Sequence, residues 1–491
     1  MEYRGKHVFF LGIAGIGVSA LARLALARGA RVSGADPLAD ARDNPAVKRL
    51  LAGGVDIFRQ HRAANLAPDV ELVVASAAVP ADNPELAIAR QRNVLTVSRA
   101  DFLGMLMAAH GGPTVAVAGT HGKTTTTAMI GVMLQSAGLD PTVLVGGEVA
   151  QLGGNIRIGS AAGPFVAEAC EAYDSFLSLR PEIAVITNVE ADHLDHYGTF
   201  EGVLDGFVRF GQNVQRRNGH LVVCADDAGI ASIEERLLEH IPVDRYGMAH
   251  GLAGARAVSL ADDISYGQIT TFRLHVGLGA PGVQVRLRVP GTHNVYNALA
   301  AAAVGSILHL TPQQIADGLA EFDGATRRQE RLGEIGAGDG GIVVIDDYAH
   351  HPTEIRATLL ALRQAYPDRR LAALFQPHLY SRTRDFLADF GSALSGADLL
   401  IVTDIYGARE SPIPGVRADE IVVHALRHCP RLHAEYVPHQ SDIPGRLASL
   451  ARAGDITVFM GAGDIRAQGE AFLRHLTDRA RIGDEQRRQE N

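Results

Sequence analysis

Short apolar runs alternate with amphipathic segments along most of the chain. The first four runs, "HVFFLG", "ARVSGAD", "LVVASAAV" and "TVAVAGT", are rich in aliphatic residues, and segments with helical spacing lie between them. A short apolar run of this kind is typical of a strand that is buried on both faces. The alternation of such strands with helices predicts parallel sheets with helices on both sides, and therefore an α/β protein.

Two interruptions divide this alternation into three predicted domains. Glycine and proline break it at "AAHGGPT", and a charged stretch, "FDGATRRQERLGE", breaks it again. We predict domains over 1–108, 109–322 and 323–480, followed by a flexible tail over 481–491 that has no apolar face. From about 215 to 290 apolar and polar residues alternate at period two, which predicts antiparallel strands at the edge of the central domain.

The segment "AVAGTHGKTTTT" lies between a predicted buried strand and a predicted helix. A glycine turn at the start of a helix aims backbone N–H groups and a partial positive charge at the loop, where a phosphate group fits. Lys123 would reach the outer phosphates, and the hydroxyl of Thr124 would face a magnesium ion. The spacing departs from G-x-x-x-x-G-K-[ST], because Val117 stands at the first glycine. A variant nucleoside-triphosphate loop is favoured over a glycine-rich turn with a surface lysine.

Composition and charge exclude several classes of protein. With 46 Lys and Arg against 55 Asp and Glu, the net charge is −9. The chain as a whole therefore has no positive field that would attract a polyanion, and no nucleic-acid partner is expected. Three separated cysteines without a C-x-x-C pair indicate neither a disulfide framework nor a thiolate zinc site. The apolar stretch 8–22 resembles a signal peptide, but glycines interrupt it as in a strand-to-helix turn. We expect a soluble, cytoplasmic protein without a membrane span.

A second glycine cluster follows the first predicted strand. Gly12, Gly15 and Gly17 are spaced G-x-x-G-x-G, the reverse of the dinucleotide order, so they do not predict a nicotinamide site. A glycine turn before a helix still favours a diphosphate ligand, with a purely structural turn as the alternative. Asp36 follows at about the distance where a second strand ends.

Acidic and histidine residues follow two further apolar runs, at strand ends where open parallel sheets bind ligands. We select Glu171 and His193 as magnesium ligands, because a Mg-nucleotide needs ligands beside the loop 119–123, which we call the lysine loop. "DHLDH" also resembles part of a binuclear metallohydrolase site, although no H-x-H precedes it. Solvated acidic residues are a third interpretation. The residues concerned are Glu168, Glu171, Asp192, His193, Asp195 and His196.

Two later groups also carry polar side chains in suggestive positions. Asn294 and Asn297 lie three apart at a predicted helix start, where two amides could contact a ribose or purine, although capping by Asn294 is a simpler interpretation. In the third domain, histidines, carboxylates and an arginine follow apolar runs, which favours a site there. They are Asp346, Asp347, His350, His351, His378 and Arg382.

Ten short motifs occur in the order in which the Mur ligase family has them. They are "GIAGIGVS", "GTHGKTTT", "GGEVAQLGGNIRIG", "EACE", "TNVEADHLD", "GTHNVYNALAA", "RR", "DDYAHHP", "FQPHLYSRT" and "GAGDI". The chain therefore resembles this family of ATP-dependent amino-acid ligases of peptidoglycan precursor synthesis. The resemblance implies a Rossmann-like N-terminal domain, a central P-loop ATPase domain with added antiparallel strands, and a Rossmann-like C-terminal domain.

The resemblance also implies substrates and site residues. The lactyl carboxylate of UDP-N-acetylmuramate would take the γ-phosphoryl group of ATP, and the amine of L-alanine would then displace phosphate. ATP would contact Gly119, Thr120, His121, Gly122, Lys123, Thr124, Thr125, Asn294, Asn297 and Arg328. The UDP-sugar would contact Gly12, Gly15, Ile16, Gly17, Ser19, Asp36 and Ser76. Magnesium would be held by Thr124, Glu171 and His193, and the amino acid or substrate oxygens by Tyr348, His350, His378 and Arg382. The residues implied to be catalytic are Lys123, Glu171, His193 and Arg382.

Three departures from the family pattern bear on this interpretation. Cys170 replaces the aspartate of E-A-D-E, and Leu379 stands where many relatives have arginine. The carbamylated lysine of several sister ligases has no counterpart motif, which fits the alanine-adding branch. A ligase that recycles a tripeptide onto the same sugar nucleotide is an alternative, although "FQPHLYSRT" favours alanine. A metal-dependent phosphohydrolase and a nucleotide-binding switch are alternatives from other classes, and either a monomer or a homodimer is compatible.

Overall fold

The protein is described from a computed structural model, which describes residues 3–39, 44–215, 219–239, 241, 243–248, 257–277, 279–336, 340–408 and 410–490. The chain groups into two compact units. The first comprises Met1–Asp262, Arg273–Val285 and Tyr296–Phe322, and the second comprises Asp263–Phe272, Arg286–Val295 and Asp323–Asn491.

The first unit begins with a five-stranded sheet whose neighbouring strands are all parallel. Its strands are β1 (His7–Leu11), β2 (Arg31–Ala35), β3 (Asp56–Phe58), β4 (Val70–Ala75) and β5 (Leu95–Ser98). Its helices are α1 (Ile16–Ala27), α2 (Pro45–Ala52), α3 (Pro84–Gln91) and α4 (Arg99–Ala108), with a 3-10 turn at Ala63–Asn65. The order β3-β2-β1-β4-β5 reverses direction at β1. In such sheets this reversal opens a ligand crevice at the end of the strand, where the first glycine cluster begins.

The central sheet has ten strands of mixed direction. They are β6 (Thr114–Ala118), β7 (Thr142–Val149), β8 (Gly154–Arg157), β9 (Phe165–Glu168), β10 (Ile183–Ile186), β11 (His220–Cys224), β12 (Val243–Met248), β13 (Ala257–Ser265), β14 (Thr270–Val276) and β15 (Val283–Leu287). Their order is β15-β14-β13-β12-β11-β10-β6-β9-β7-β8. Because β6 is parallel to both β9 and β10, the ends of these three strands meet at one edge of the sheet.

The helices of this region follow the strands in the predicted alternation. They are α5 (Lys123–Ser136), α6 (Leu194–Tyr197), α7 (Phe200–Gln212), α8 (Ala228–Leu238), α9 (Thr292–Ile307) and α10 (Pro312–Glu321), with 3-10 turns at Ala150–Leu152 and Ala172–Ser178. In α5 every residue from Thr124 to Leu134 is buried. A helix buried on all sides belongs to the centre of a domain, and the first turn of α5 is thus held rigidly.

The prediction of antiparallel edge strands is only partly right. The strands β13, β14 and β15 are successive neighbours, and their short links, 266–269 and 277–282, suit antiparallel pairs rather than crossovers. However, β11 and β12 pair in parallel, and β13 is parallel to β12. The reason is that α8 connects β11 to β12 as a crossover helix, which makes these two strands parallel. The antiparallel prediction is therefore wrong for the start of the segment, up to β12.

The second unit contains a six-stranded sheet with apolar cores on both faces. Its strands are β16 (Glu330–Ile335), β17 (Ile342–Asp347), β18 (Leu371–Phe375), β19 (Leu399–Val402), β20 (His433–Tyr436) and β21 (Ile456–Met460), in the order β16-β17-β21-β18-β19-β20. Only the pair of β16 and β17 is antiparallel among the described pairs. The helices are α11 (Pro352–Ala365), α12 (Tyr380–Asp385), α13 (Leu387–Leu394), α14 (Asp419–His428), α15 (Ile443–Leu450) and α16 (Arg466–Glu490), with a 3-10 turn at Gln440–Asp442.

The end of the chain, predicted as a flexible tail over 481–491, continues a helix. The helix α16 extends to Glu490, and Asn491 lies outside the described residues. The residues of this stretch include many arginines, glutamates and glutamines, which favour helix even without an apolar face. The flexibility of the tail stays a prediction.

Each of the three predicted domains contains one of the three sheets, which confirms the α/β fold class. The domain bounds at 108, 322 and 480 stay predictions. Among the described helices, none combines the length and the apolar character that a membrane span requires.

Candidate functional site

The lysine loop connects β6 to α5, as predicted. Gly119 has a φ of 133° and Gly122 a φ of 81°, backbone angles that residues other than glycine rarely adopt. A β-carbon on Gly119 would lie 1.9 Å from the hydroxyl oxygen of Thr187, so glycine is required there for space as well. Gly122 caps α5 without a side-chain acceptor, which leaves the first N–H groups of the helix available to a ligand.

Lys123 lies inside this loop rather than on the surface. Its ammonium donates to the carbonyl oxygens of Gly119 (2.7 Å) and Thr120 (2.9 Å) and to the carboxylate of Glu171 (2.9 Å). Burial alone would lower the pKa of Lys123, but the carboxylate of Glu171, with help from its neighbours, outweighs it and raises the pKa above the ordinary value. The residue is therefore a fixed positive charge at the helix N-terminus.

Two carboxylates lie beside Thr124 and Lys123, and they have different partners. The hydroxyl of Thr124 donates to Oε2 of Glu168 at 2.9 Å, and the same oxygen accepts the N–H of Gly146 at 2.7 Å. Glu171 is ion-paired with Lys123, and its Oε2 is buried without a hydrogen-bond partner among the described residues. Nε2 of His193 lies 3.8 Å from Glu171. The structure thus brings Thr124, Glu171 and His193 together, and it places Glu168, a candidate of the same cluster that was not assigned to magnesium, against Thr124.

The wall of the loop includes two residues that sequence reasoning missed. Thr187 donates its hydroxyl to the carbonyl oxygen of His121 at 2.6 Å. Asn188 donates to the same oxygen at 3.1 Å and accepts the N–H of His121 at 2.8 Å. Both follow directly after β10, so their place at a strand end was the signal that could have found them.

The two asparagines of the third motif have separate roles in the fold. Asn297 accepts a hydrogen bond from the hydroxyl of Thr126 at 3.1 Å, which ties α9 to the first turn of α5. Asn294 lies inside α9, since the helix begins at Thr292, and its amide donates to the carbonyl oxygen of Pro290 at 2.7 Å. The capping interpretation of Asn294 is therefore wrong, while contact of either residue with ATP stays a prediction.

The "DHLDH" segment does not gather metal ligands as a binuclear site would. Asp195 is exposed, and Nε2 of His196 lies 3.5 Å from Asp174. Within the described part of the chain, residues 192–196 contribute no group of three side chains at metal-ligand spacing. This arrangement weakens the phosphohydrolase alternative.

The first glycine cluster forms the turn between β1 and α1. Gly12 has a φ of 76°, and a β-carbon on it would lie 3.0 Å from that of Ser76. Asp36 holds the turn, because its carboxylate accepts the N–H of Ala14 at 3.0 Å. Ser19 is buried and donates its hydroxyl to the carbonyl oxygen of Ile16 at 3.0 Å. Gly15 and Gly17 lie at the start of α1, and the predicted contacts of these residues with a UDP-sugar stay predictions.

The second unit brings five predicted residues together: Tyr348, His350, His378 and Arg382, predicted for the amino acid or substrate, and Arg328, predicted for ATP. Tyr348 and His350 pack edge to face, with ring centroids 5.2 Å apart, and His350 contacts His378 with centroids 5.9 Å apart. Arg382 is buried, and its Nη1 lies 3.4 Å from Nδ1 of His378. The guanidinium of Arg328 lies 5.2 Å from the ring centroid of Tyr348. These side chains offer cationic and aromatic groups at strand ends, which suits an anionic substrate group.

Asp347, which precedes Tyr348 of this cluster, is buried, and from its pKa we expect an effect of pH on stability. Asp347 accepts the N–H groups of Ala349 (2.7 Å) and Gln329 (2.9 Å), yet burial raises its pKa to about 6. Between about pH 4 and pH 6 the native state holds a proton that the unfolded state has lost, so stability falls as pH rises through that window. We expect the loss to approach about 3 kcal/mol.

Asp347→Asn should reduce the fall in stability across this window by about that amount, measured by urea unfolding of the full chain at several pH values. The exposed Asp368→Asn is the matched control and should keep the slope. An unchanged slope in Asp347→Asn would contradict the assignment.

Comparisons with known proteins cover nearly the whole chain. A family profile described as the Mur ligase family, catalytic domain matches residues 7–110, the Mur ligase middle domain matches 117–305, and the Mur ligase, glutamate ligase domain matches 327–463. The UDP-N-acetylmuramate–L-alanine ligases of Trichlorobacter lovleyi and a Mycobacterium species are each 42% identical to this chain. These matches cover 96% of this chain and 99% of the first relative, and 97% and 96% for the second.

Solved structures agree with the sequence comparison. The UDP-N-acetylmuramate-alanine ligase of Thermotoga maritima is 28% identical with a TM-score of 0.77, and the match covers 96% of this chain and 99% of that one. The murein peptide ligase of Psychrobacter arcticus is 27% identical with a TM-score of 0.67, over the same shares of the two chains. The resemblance that the ten motifs indicated is thus confirmed, and the chain belongs to the Mur ligase family.

Proposed function

We propose that the protein joins L-alanine to the lactyl carboxylate of UDP-N-acetylmuramate, with ATP as the energy source. Similarity over the full length to enzymes that carry this activity in their names supports the proposal. The observation that carries it in the structure is the buried ammonium of Lys123, held between the loop carbonyls and Glu171 at the N-terminus of α5. That arrangement suits the outer phosphates of ATP.

The chemistry requires an activated carboxylate. A carboxylate does not accept an amine at neutral pH, so its oxygen first takes the γ-phosphoryl group of ATP, and ADP leaves. The amine of L-alanine then attacks the acyl carbon, and phosphate leaves with the electrons of the C–O bond. In phosphoryl transfer the protein chiefly neutralises charge and aligns groups, which Lys123 and the helix N-terminus can do.

Magnesium fits the oxygen-rich side of the loop. The hydroxyl oxygen of Thr124 and Oε2 of Glu168 are 2.9 Å apart, a separation that adjacent ligands of one Mg²⁺ adopt. Oε2 of Glu171 is buried without a partner among the described residues, and Nε2 of His193 lies 3.8 Å from the other oxygen, Oε1. Thr124 and Glu168 would hold the ion, with His193 and Glu171 as the further ligands that we predicted. Bound there, the ion would neutralise phosphate charge.

The two carboxylates should respond differently to loss of charge. Glu168→Gln is expected to raise the magnesium concentration for half-maximal activity about 10-fold, because it removes the charge beside Thr124. Glu171→Gln should mainly lower kcat, because it leaves Lys123 without its ion-pair partner. Magnesium titrations of the two variants check this. A shift confined to Glu171→Gln would make Glu171, and not Glu168, the principal ligand.

The cluster of Tyr348, His350, His378 and Arg382 in the second unit suits the incoming amino acid. The guanidinium of Arg382 can donate two N–H groups to a carboxylate or phosphate, and His378 lies beside it. Tyr348 and His350 line the same group of rings. We assign this cluster to the carboxylate of L-alanine and to the substrate oxygens.

Phosphate release with Mg-ATP and UDP-N-acetylmuramate, measured against a panel of amino acids and the recycled tripeptide, tests the proposal. Release that requires L-alanine, with a product heavier by one alanyl residue, would support it. Release that requires the tripeptide would assign the protein to recycling. Release from ATP alone, without a conjugate, would favour the hydrolase alternative.

A further inference from the structure

An arginine, Arg99, lies against the first turn of α1, and no residue that the structure describes neutralises its charge. A β-carbon placed on Gly17 would lie 3.1 Å from Nη1 and 3.3 Å from Cδ of Arg99, so the absence of a side chain at Gly17 leaves room for this arginine. No hydrogen bond or ion pair joins the Arg99 guanidinium to another residue within the described ranges. An arginine held in place with its donors unused is available to a ligand.

The position of Arg99 is electrostatically unfavourable in the free protein. It is the first residue of α4, and a cation at a helix N-terminus is opposed by the partial positive charge of that end. The neighbouring N-terminus of α1 has no acidic residue in its first turn and no side-chain cap at Gly15. Asp101, the acid in the first turn of α4, is already bonded to the hydroxyls of Ser98 (2.7 Å) and Ser178 (2.8 Å). The carboxylate of Asp36 also lies at this turn, but it is bonded to the N–H groups of Ala14 and Leu38, so Arg99 and the N-terminus of α1 remain open to an anion.

A second observation points to a ligand at the same turn. Asn155 is 1% exposed, and its amide donates to the carbonyl oxygen of Ile16 at 2.6 Å. Its Oδ1 is buried and has no hydrogen-bond partner among the described residues. A buried acceptor without a donor is costly, and a ligand N–H or O–H would satisfy it. A sugar nucleotide carries hydroxyl and amide donors together with its diphosphate.

We propose that Arg99 is a diphosphate-binding residue of the sugar-nucleotide site. This inference rests on the proposed function, since it assigns Arg99 to the UDP moiety of that substrate. The guanidinium would donate paired N–H groups to phosphate oxygens, and the free N–H groups of the first turn of α1 would bind the remaining oxygens. Arg99 would act in binding and not in the phosphoryl transfer.

Calorimetric titration of the full-length protein with UDP and with UDP-N-acetylmuramate tests the assignment. Arg99→Ala should weaken both by roughly 10- to 100-fold, as expected for a lost charge-assisted pair. Arg99→Lys should recover part of the affinity, because it restores the charge without the paired donors. Arg90→Ala is the matched control, because Arg90 is an exposed arginine of the same domain that donates to the carbonyl oxygen of Ala81.

Urea unfolding of the free variants separates binding from a structural role. Arg99→Ala should leave the midpoint unchanged or raise it, because it removes an unneutralised charge. UDP binding within 2-fold of the unmodified protein would overturn the proposal, and so would a fall in the midpoint of Arg99→Ala beyond that of Arg90→Ala. Failure of the unmodified protein to bind either nucleotide would instead overturn the sugar-nucleotide assignment, and the role of Arg99 with it.

Discussion

Replacing Lys123 with alanine is expected to lower phosphate release by about 1,000-fold or more, while UDP-N-acetylmuramate binding stays within a few fold. The ammonium is the fixed positive charge of the lysine loop, and its bonds to Gly119, Thr120 and Glu171 place it where the transferred phosphoryl group would lie. The glycine turn that we propose for the sugar nucleotide belongs to another sheet, so binding of UDP-N-acetylmuramate should be preserved.

Loss of Lys123 also leaves the buried carboxylate of Glu171 without its partner, which lowers stability. The double variant Lys123→Met with Glu171→Gln removes both charges and should regain stability without regaining activity. Thermal unfolding and single-turnover phosphate release separate the two effects. Near-normal turnover in either variant would contradict the role of the lysine.

Replacing Arg382 with alanine is expected to raise the KM for L-alanine about 100-fold and to lower kcat as well. The residue is 7% exposed and contacts His378, so its guanidinium is held in one place rather than free in solvent. A buried guanidinium that binds a carboxylate contributes more than an exposed one, because less water competes for it.

Arg384→Ala is the matched control for that change. Arg384 lies in the same helix, is exposed and pairs with Asp385, so its loss should leave the kinetic constants within 2-fold. Initial rates with L-alanine and ATP varied separately provide the measurement. If Arg382→Ala changed only the KM for ATP, the residue would bind the nucleotide, and its assignment to L-alanine would be wrong.

Local features were predictable from the sequence because they depend on neighbouring residues. The apolar run ending at Ala118, the glycines at 119 and 122 and the helix from Lys123 follow from strand, turn and helix preferences. The family resemblance rested on motif order, which the sequence displays in full. The three sheets followed from the same alternation of runs.

The partners of the carboxylates could not be predicted in the same way. Glu168 ends β9 and Glu171 lies three residues later, and the one that reaches Thr124 depends on the position of β9 between β6 and β7. Strand order is a property of the whole sheet and is not displayed by any local pattern. For the same reason the sequence did not reveal that Thr187 and Asn188 close the loop against His121.

One prediction is wrong because a local pattern does not describe the whole segment to which it was applied. Period-two alternation describes the strands from β13 onward, but it was extended to β11 and β12, which a crossover helix connects. The flexibility of the tail over 481–491 stays a prediction; its residues favour helix, and α16 continues to Glu490.

Oxygen transfer from the sugar carboxylate tests the central claim most directly. UDP-N-acetylmuramate labelled with ¹⁸O in both oxygens of its lactyl carboxylate would be incubated with ATP, magnesium and L-alanine, and the products read by mass spectrometry. An acyl phosphate predicts one ¹⁸O in the released phosphate and one in the amide of an alanyl conjugate. Phosphate without label, or phosphate released without a conjugate, would contradict the account.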